Sequence, residues 1–457
     1  VTDFANLPFR ISPQDAERFR RYRQYLDFYR GEQWSDRARR GEKHLTFNYA
    51  RVFVDKITSY LMSGASFTVE AVSDTPADRA RAEQAEKEIA RVYEENGLTE
   101  LDCETETDCA VLGDACYKVT WDAEKRAVRV SAPDIQNICV WHRGDDPSRL
   151  LRVASTYRLS AGEAAAVCGM KPAGLPVQDG MVSITEIWSD GDFELFTGNR
   201  RVMRKNNPYG FIPFIIFPNL REPKNFWGIS DIAAIREPQQ ELNRAMSQIS
   251  RILELSGNPI AVLENVEEAE DIAVRPGAVW TLPEDSRAYL LDLLQGGGLK
   301  SHIEYIELLY RALHDLAEAP RASFGGLNRE LSGIAMQIEL YPLLQKVSRK
   351  RSIRTAVYSR RNWLIYRLLE KYAGAPHLEE SRFRMRVNWG TVLPQDFSRL
   401  VADEQILIGA GVHSRRRAMD ILGLQDPEAE FQHWLAEQKE ILKLKGEVSA
   451  ISVSGIN

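Results

Sequence analysis

The feature that most constrains this chain is a pair of amphipathic helices held apart by an acidic insert. The first reads GISDIAAIREPQQELNRAMSQISRILELSG. Ile235, Leu242 and Ile249 recur in it every seven residues, and Ile232, Met246 and Leu253 form a companion row. So narrow an apolar stripe needs partner helices to cover it. Pro238 marks either a kink or a short lead-in turn. The second helix, LKSHIEYIELLYRALHDLAEA, repeats the pattern through Leu299, Ile303, Ile306, Leu309, Leu313 and Leu316, and Pro320 closes it. The insert between them, residues 258–298, carries eight acids against two bases, a net charge of −6. That equals the formal charge of the whole 457-residue chain. Glu264, Glu267, Glu268, Glu270, Asp271, Glu284 and Asp285 supply most of it.

Next comes PRASFGGLNRELSG, whose proline and three glycines mark a mobile loop. The following segment, IAMQIELYPLLQKVSRKRSIRTAVYSRRNWLIYRLLEKYAG, predicts a helix of roughly 40 residues, about 60 Å long. Pro342 is expected to bend it near its start. It is strongly basic: Lys346, Arg349, Lys350, Arg351, Arg354, Arg360, Arg361, Arg367 and Lys371. Three readings compete for those cations: a solvated face, a salt-bridged contact with a neighbouring subunit, or sequence-independent contact with DNA phosphates. Tyr358, Trp363 and Tyr366 have the shape to stack on bases, but at helical spacing such residues more often belong to a core.

This order of segments resembles the portal protein of tailed bacteriophages, of the siphophage type. The resemblance extends upstream to NPYGFIPFIIFPN and to NYARVFVDKITSYLMSG, and so touches most of the chain. It implies an α+β fold, mainly α, with an N-terminal wing over 1–227 and stem helices at 228–257 and 299–319. The clip would span 258–298 and a tunnel loop 320–332. A long wing helix and strand would occupy 333–394, and a helical crown 395–457. It further implies a dodecameric ring at a capsid vertex, with an axial channel for packaging and ejection of double-stranded DNA. The implied partners are the large terminase subunit, head–tail connector proteins, and scaffold and major capsid proteins. Such a protein would have no catalytic activity, no metal and no cofactor, and would sit in the virion after assembly in the host cytoplasm. Arg321, Phe324, Gly325, Gly326, Asn328 and Arg329 would form the DNA-facing loop. Lys346, Arg349, Lys350, Arg351 and Arg354 would face a neighbouring subunit or DNA. Clip acids facing the channel would keep DNA from sticking to its wall; facing outward, they would meet the packaging motor.

Composition excludes several other classes. Hydrophobic residues make up 44% and charged ones 27%, as in ordinary globular proteins. No apolar run approaches the roughly 18 residues of a membrane span. VTDFANLPFR has no apolar signal core, so nothing argues for export. Cys103, Cys109 and Cys116 are spaced by six and seven, which fits no metal or redox pair and suggests reduced thiols. No phosphate-binding loop, HExxH or GxSxG motif occurs, and GGGLK at 296–300 lacks the spacing for the first. His302 and His314 lie too far apart on one helix to chelate a metal locally. A capsid-associated nuclease or protease therefore finds no support; a helical adaptor or scaffold of a virion remains the alternative.

Elsewhere, residues 12–30 predict an arginine-rich helix, read as a solvated face or a contact with an acidic neighbour. Helices are also expected at NYARVFVDKITSYLMSG, at TPADRARAEQAEKEIARVYEENG and over 98–111. Short strands follow at Ala115–Trp121, Ala127–Ser131, Leu151–Leu159, Val182–Trp188 and Phe193–Phe196, with a short helix at SAGEAAAVCGM. FRMRVNWG reads as a strand, and three helices follow it. The last is capped by Asp426 and Pro427, before a tail expected to fray.

Overall fold

Capping residues set many of the helix boundaries. Ser12 accepts the Asp15 N–H to start α1, Pro13–Arg30, and Gly31 ends it in the left-handed region. Asn48 starts α2, Tyr49–Leu61, which leads into β1, Ser66–Ala71. Thr75 starts α3, Pro76–Asn96, and Gly97 separates it from α4, Leu98–Leu112. The strands β2 (Asp114–Asp122), β3 (Ala127–Ser131), β4 (Ile138–His142) and β5 (Leu150–Ser160) come next. A capping box of Ser160 and Glu163 opens α5, Ala161–Cys168. Then come β6 (Val177–Gln178), β7 (Met181–Trp188), β8 (Asp192–Thr197), β9 (Arg200–Asn206) and β10 (Phe214–Pro218). Helix α6, Arg236–Gly257, and α7, Gly298–Ala317, flank the hairpin of β11 (Ala261–Glu264) and β12 (Arg287–Leu290). Helix α8 runs Gly333–Leu368, with Pro342 inside it, and ends in a π-helical turn, Leu369–Ala373, before β13, Phe383–Asn388.

A computed structural model describes residues 7–34, 43–73, 75–257, 261–265, 285–290, 298–325, 333–392, 397–424 and 427–454 of this chain. The fold is α+β, mainly α, with 53% of residues helical and about 20% in strands. It divides into two units, Val1–Gly390 and Thr391–Asn457.

In the first unit all named strand pairs are antiparallel. The sheets are β10-β2-β3, the six-stranded β4-β5-β7-β8-β9 with β6 on β7, the pair β1-β13, and the hairpin β11-β12. Helices α3, α4 and α8 pack on the three-stranded sheet, joining Ile89, Leu98, Tyr117, Phe217, Ile365 and Leu368 in one core. Tyr358 and Tyr366 lie in that core, as their helical spacing suggested. All five cysteines are free thiols, four of them buried.

The second unit holds α9 (Phe397–Gly409), α10 (Arg415–Ile421) and α11 (Pro427–Ser454). Arg415 lies 4.6 Å over the Trp434 ring and Arg416 4.6 Å over Phe431, fastening α10 to α11.

Strands β4, β6 and β9 were not read from the sequence. The residues of β9, RRVMRKN, are mostly exposed and basic, so they show no apolar alternation; β4 is short and follows a Pro–Asp turn. Helix α6 begins at Arg236, not Gly228, so Pro238 sits in its first turn and residues 231–235 form the lead-in turn. The last helix continues to Ser454, past Gly446 where a frayed tail was expected.

Candidate functional site

The residues that bind the two long helices to the body of the first unit lie on one face of α8. Lys346, Lys350, Arg354 and Arg361 are spaced four, four and seven apart, which stacks them along one side of a helix. Opposite them, Asp102 and Glu106 stand one turn apart on α4, and Asp231 sits in the lead-in to α6. Asp231 takes Lys350 Nζ at 2.6 Å and Lys346 Nζ at 3.1 Å. Burial would raise its pKa, but the two ammonium groups outweigh that and hold it well below the usual carboxylate range. Lys346 also donates to the Ala317 carbonyl at 2.9 Å, capping the last turn of α7. One lysine thus secures the start of one long helix and the end of the other.

Arg354 forms a fork with Glu106, at 2.7 and 2.8 Å, and donates to the carbonyls of Pro218 and Asn219 at 2.8 and 2.9 Å. Burial opposes its charge, and Glu106 more than compensates, so its pKa rises. Arg361 forks onto Asp102, which also accepts from Tyr117 at 2.8 Å. Arg351 spends its guanidinium on the carbonyls of Tyr60, Leu61, Ser63 and Gly390, closing the end of α2.

These positions correct the expectation that the α8 cations face a neighbour or DNA. Lys350 and Arg354 are fully buried, and Lys346 and Arg351 nearly so. The physical reason is the carboxylates of α4 and of the stem lead-in, which no count of charges along α8 reveals. Arg349 alone of the five named residues is exposed, and it pairs with Glu318 at 2.6 Å.

Arg18 belongs to the arginine-rich helix read as a solvated face or a contact with an acidic neighbour. It is buried, donates to the Ile138 carbonyl at 2.8 Å and stacks 3.6 Å from the Trp227 ring. Nearby, Gly228 N–H donates to Asp114 at 2.7 Å, and Tyr22 donates to the same carboxylate. Burial raises the Asp114 carboxyl to about 6, although Tyr22, Gly228 and Arg18 all favour its ionised form. An unfolded aspartate ionises near pH 3.9. Between that pH and 6 the folded chain therefore keeps a proton that the unfolded chain has lost, and stability falls as pH rises through the window. Asp114→Asn removes this dependence. Its stability relative to the unaltered chain should improve by about 2 kcal/mol between pH 4 and pH 7. Urea midpoints at pH 4, 5.5 and 7 measure this, and a constant gap would refute the raised pKa.

The root of the glycine-rich loop is built from aromatic rings. A single turn, Arg321–Phe324, ends at Gly325, whose φ of 81° requires glycine. The Phe324 ring meets Phe53 at 5.6 Å and His314 at 5.4 Å. Phe324 is therefore half-buried and anchors the loop, instead of facing outward as expected; its neighbours come from α2 and α7, far away in sequence. His314 Nδ1 bonds the Ala319 carbonyl at 2.6 Å, and burial lowers its pKa. Arg321 is exposed and lies 5.2 Å over the Tyr310 ring. Gly326, Asn328 and Arg329 lie outside the described residues. So do Glu267, Glu268, Glu270, Asp271 and Glu284 of the insert. Glu264 and Asp285 are exposed on the β11-β12 hairpin, where Glu264 accepts from Tyr289 at 3.2 Å.

Among the described residues no cluster of His, Cys, Asp and Glu could hold a metal ion, and no helix is long and apolar enough to cross a membrane. The buried ionic groups on α8 hold the lead-in to α6 and the end of α7 to the α+β body. The model of one family, phage portal protein of the SPP1 Gp6-like type, matches residues 9–444. The chain belongs to that family, whose members are structural and non-enzymatic. The family implies assembly into a ring at a virion capsid vertex, with DNA, capsid and terminase as partners in general. A search of curated proteins finds no match.

Proposed function

We infer that this chain is one subunit of a dodecameric ring whose axial channel passes double-stranded DNA during packaging and ejection. The ring would dock the large terminase subunit first and head–tail connector proteins afterwards, with scaffold and major capsid proteins against the wing. The observation that carries this reading is the contrast along α6 and α7. Near the body, Leu242 and Leu313 are buried. Further along, Leu253, Ile303 and Leu308 are 50%, 47% and 62% exposed. Apolar side chains in rows on paired helices are costly to leave in water, and a ring of such pairs covers them. Exposed Glu264 and Asp285, together with the other clip acids, suit the wall of a conduit for a polyanion. Arg321, with Asn328 and Arg329, would touch phosphates from a loop pivoting at Gly325 and Gly326.

Purified protein should give rings with a central hole on negative-stain imaging and a matching native mass. Ile303→Asp with Leu308→Asp should keep the circular dichroism of the unaltered chain and lose the rings. Raising salt should loosen rings little, because all five α8 cations named above are paired within their own subunit and four of them are buried. A stable monomer of the unaltered chain, across protein and salt concentrations, would overturn the reading.

A further inference from the structure

His314 stands where α7 turns toward the glycine-rich loop, and it holds that turn with both its backbone and its ring. The Ala319 N–H donates to the His314 carbonyl at 3.1 Å, and the Glu318 N–H to the Asp315 carbonyl at 3.1 Å. This is the pairing of a Schellman turn, with Glu318 in the left-handed position at a φ of 54°. Glycine usually takes that position, so the turn leans on its remaining bonds. The His314 ring supplies one of them: Nδ1 lies 2.6 Å from the Ala319 carbonyl oxygen. A carbonyl only accepts, so Nδ1 carries the proton and Nε2 of the neutral ring is bare. Ala319 is fully buried, and one residue five positions back satisfies both of its main-chain groups. From Ala319 the chain passes through Pro320 into the turn Arg321–Phe324 and Gly325.

The other edge of the ring has nothing to take a second proton. His314 is 6% exposed, and its Nε2 is buried with no hydrogen-bond partner among the described residues. The rings of Phe53, Tyr310 and Phe324 surround it at 5.0, 4.7 and 5.4 Å, each steeply inclined to it. The charged and titratable groups about this box come from four elements. Tyr310 and Asp315 lie on α7, Tyr49 and Lys56 on α2, and Arg321 on the turn. From α8, Lys346 reaches the Ala317 carbonyl and Arg349 reaches Glu318. Asp231 matches Lys346 and Glu318 matches Arg349, which leaves Lys56 and Arg321 against Asp315. Burial opposes a charge on the ring most strongly, and Arg321 adds to it; together they outweigh the Ala319 carbonyl and Asp315.

We propose that His314 is a proton-controlled latch at the root of the glycine-rich loop: the neutral ring holds residues 319–325 in place, and the imidazolium releases them. A proton on Nε2 needs an acceptor, and the box offers it apolar ring edges and faces with two cations nearby. Opening the root lets the ring reach water, where it ionises near pH 6.5 or about that value. The open root therefore binds a proton that the closed root refuses. The stability of the closed root is complete above that pH and is lost as pH falls below it. The latch rests on the DNA-facing reading of the loop only for its consequence, a pH-dependent handling of DNA. Its test needs no DNA, so either can fail while the other stands.

Hydrogen exchange on the full chain, corrected for intrinsic rates, reads the latch at the Ala319, Ser323 and Gly325 amides, which donate to His314, Pro320 and Ala322. Between pH 7.5 and pH 5 their protection should fall by roughly fivefold or more, with a ceiling of about thirtyfold set by ionisation of the released ring. The Gly169 amide, which caps α5, should keep its protection across the same range. His314→Gln can still donate to the Ala319 carbonyl but takes no proton, so its profile should be flat. Where that variant does not fold, Arg321→Gln serves instead. It takes one cation from the box, lets the closed ring ionise more readily, and should shrink the fall by about twofold or more. A flat profile in the unaltered chain overturns the proposal, and so does an undiminished fall in either variant. Protection that rises in acid overturns it too, because the surrounding rings then hold the imidazolium as cation–π partners.

Discussion

Glu106→Ala is expected to loosen the junction between the long helices and the body. The substitution removes the fork that satisfies Arg354 and the carboxylate 3.7 Å from Lys350, both of which stay fully buried. Stranding a buried charge in this way typically costs about 3–5 kcal/mol, far more than the net worth of the pair. Arg354 keeps its two carbonyl partners and Lys350 keeps Asp231, so the chain should fold, with a much lower denaturation midpoint. Glu318→Ala is the control: it breaks the exposed pair with Arg349, and exposed pairs are worth about 1 kcal/mol or less. A double variant, Glu106→Met with Arg354→Met, should recover much of the loss, because the desolvation penalty of both ions disappears with them. Equal midpoints for Glu106→Ala and Glu318→Ala would show that the buried network does not hold the junction.

Gly228→Ala should be comparably damaging for a steric reason. A Cβ at this position would lie 2.4 Å from the Gly113 carbonyl oxygen, 2.6 Å from Pro218 Cβ and 2.9 Å from the Leu220 carbonyl oxygen. Two of those atoms are backbone, so no side chain can swing aside. The turn between α4 and β2, the end of β10 and the lead-in to α6 would have to separate, and the Gly228 N–H bond to Asp114 with them. Overpacking of this sort typically costs about 1–3 kcal/mol, and backbone contacts so short place this case at the upper end or beyond. Limited proteolysis should begin within residues 220–232, and ring yield should fall. Gly162→Ala, on α5, meets nothing within 4 Å and should be neutral or stabilising by up to about 1 kcal/mol. If both variants melt alike, the close approach at Gly228 is not tight in solution.

Patterns that repeat along the chain were legible without the fold. The stripes through Ile235, Leu242 and Leu313 announced two helices in need of partners, because helical periodicity is a local property. Pro320 marked the end of the second of them for the same reason. The order of these segments, with the glycine-rich loop and the long basic helix, was enough to expect a portal-type chain, and the family match over residues 9–444 agrees.

What only tertiary structure decided was the meaning of the charges. A lysine on α8 looks the same in sequence whether water, DNA or a carboxylate meets it. Lys350 and Arg354 turn inward because Glu106 and Asp231, more than a hundred residues upstream, are folded against them. Arg18 is buried because Trp227 and the Ile138 carbonyl close over it, and Phe324 packs inward because Phe53 and His314 do the same. Burial of a charged or aromatic side chain depends on partners brought together by the folded chain, and spacing along one helix carries no information about what stands opposite.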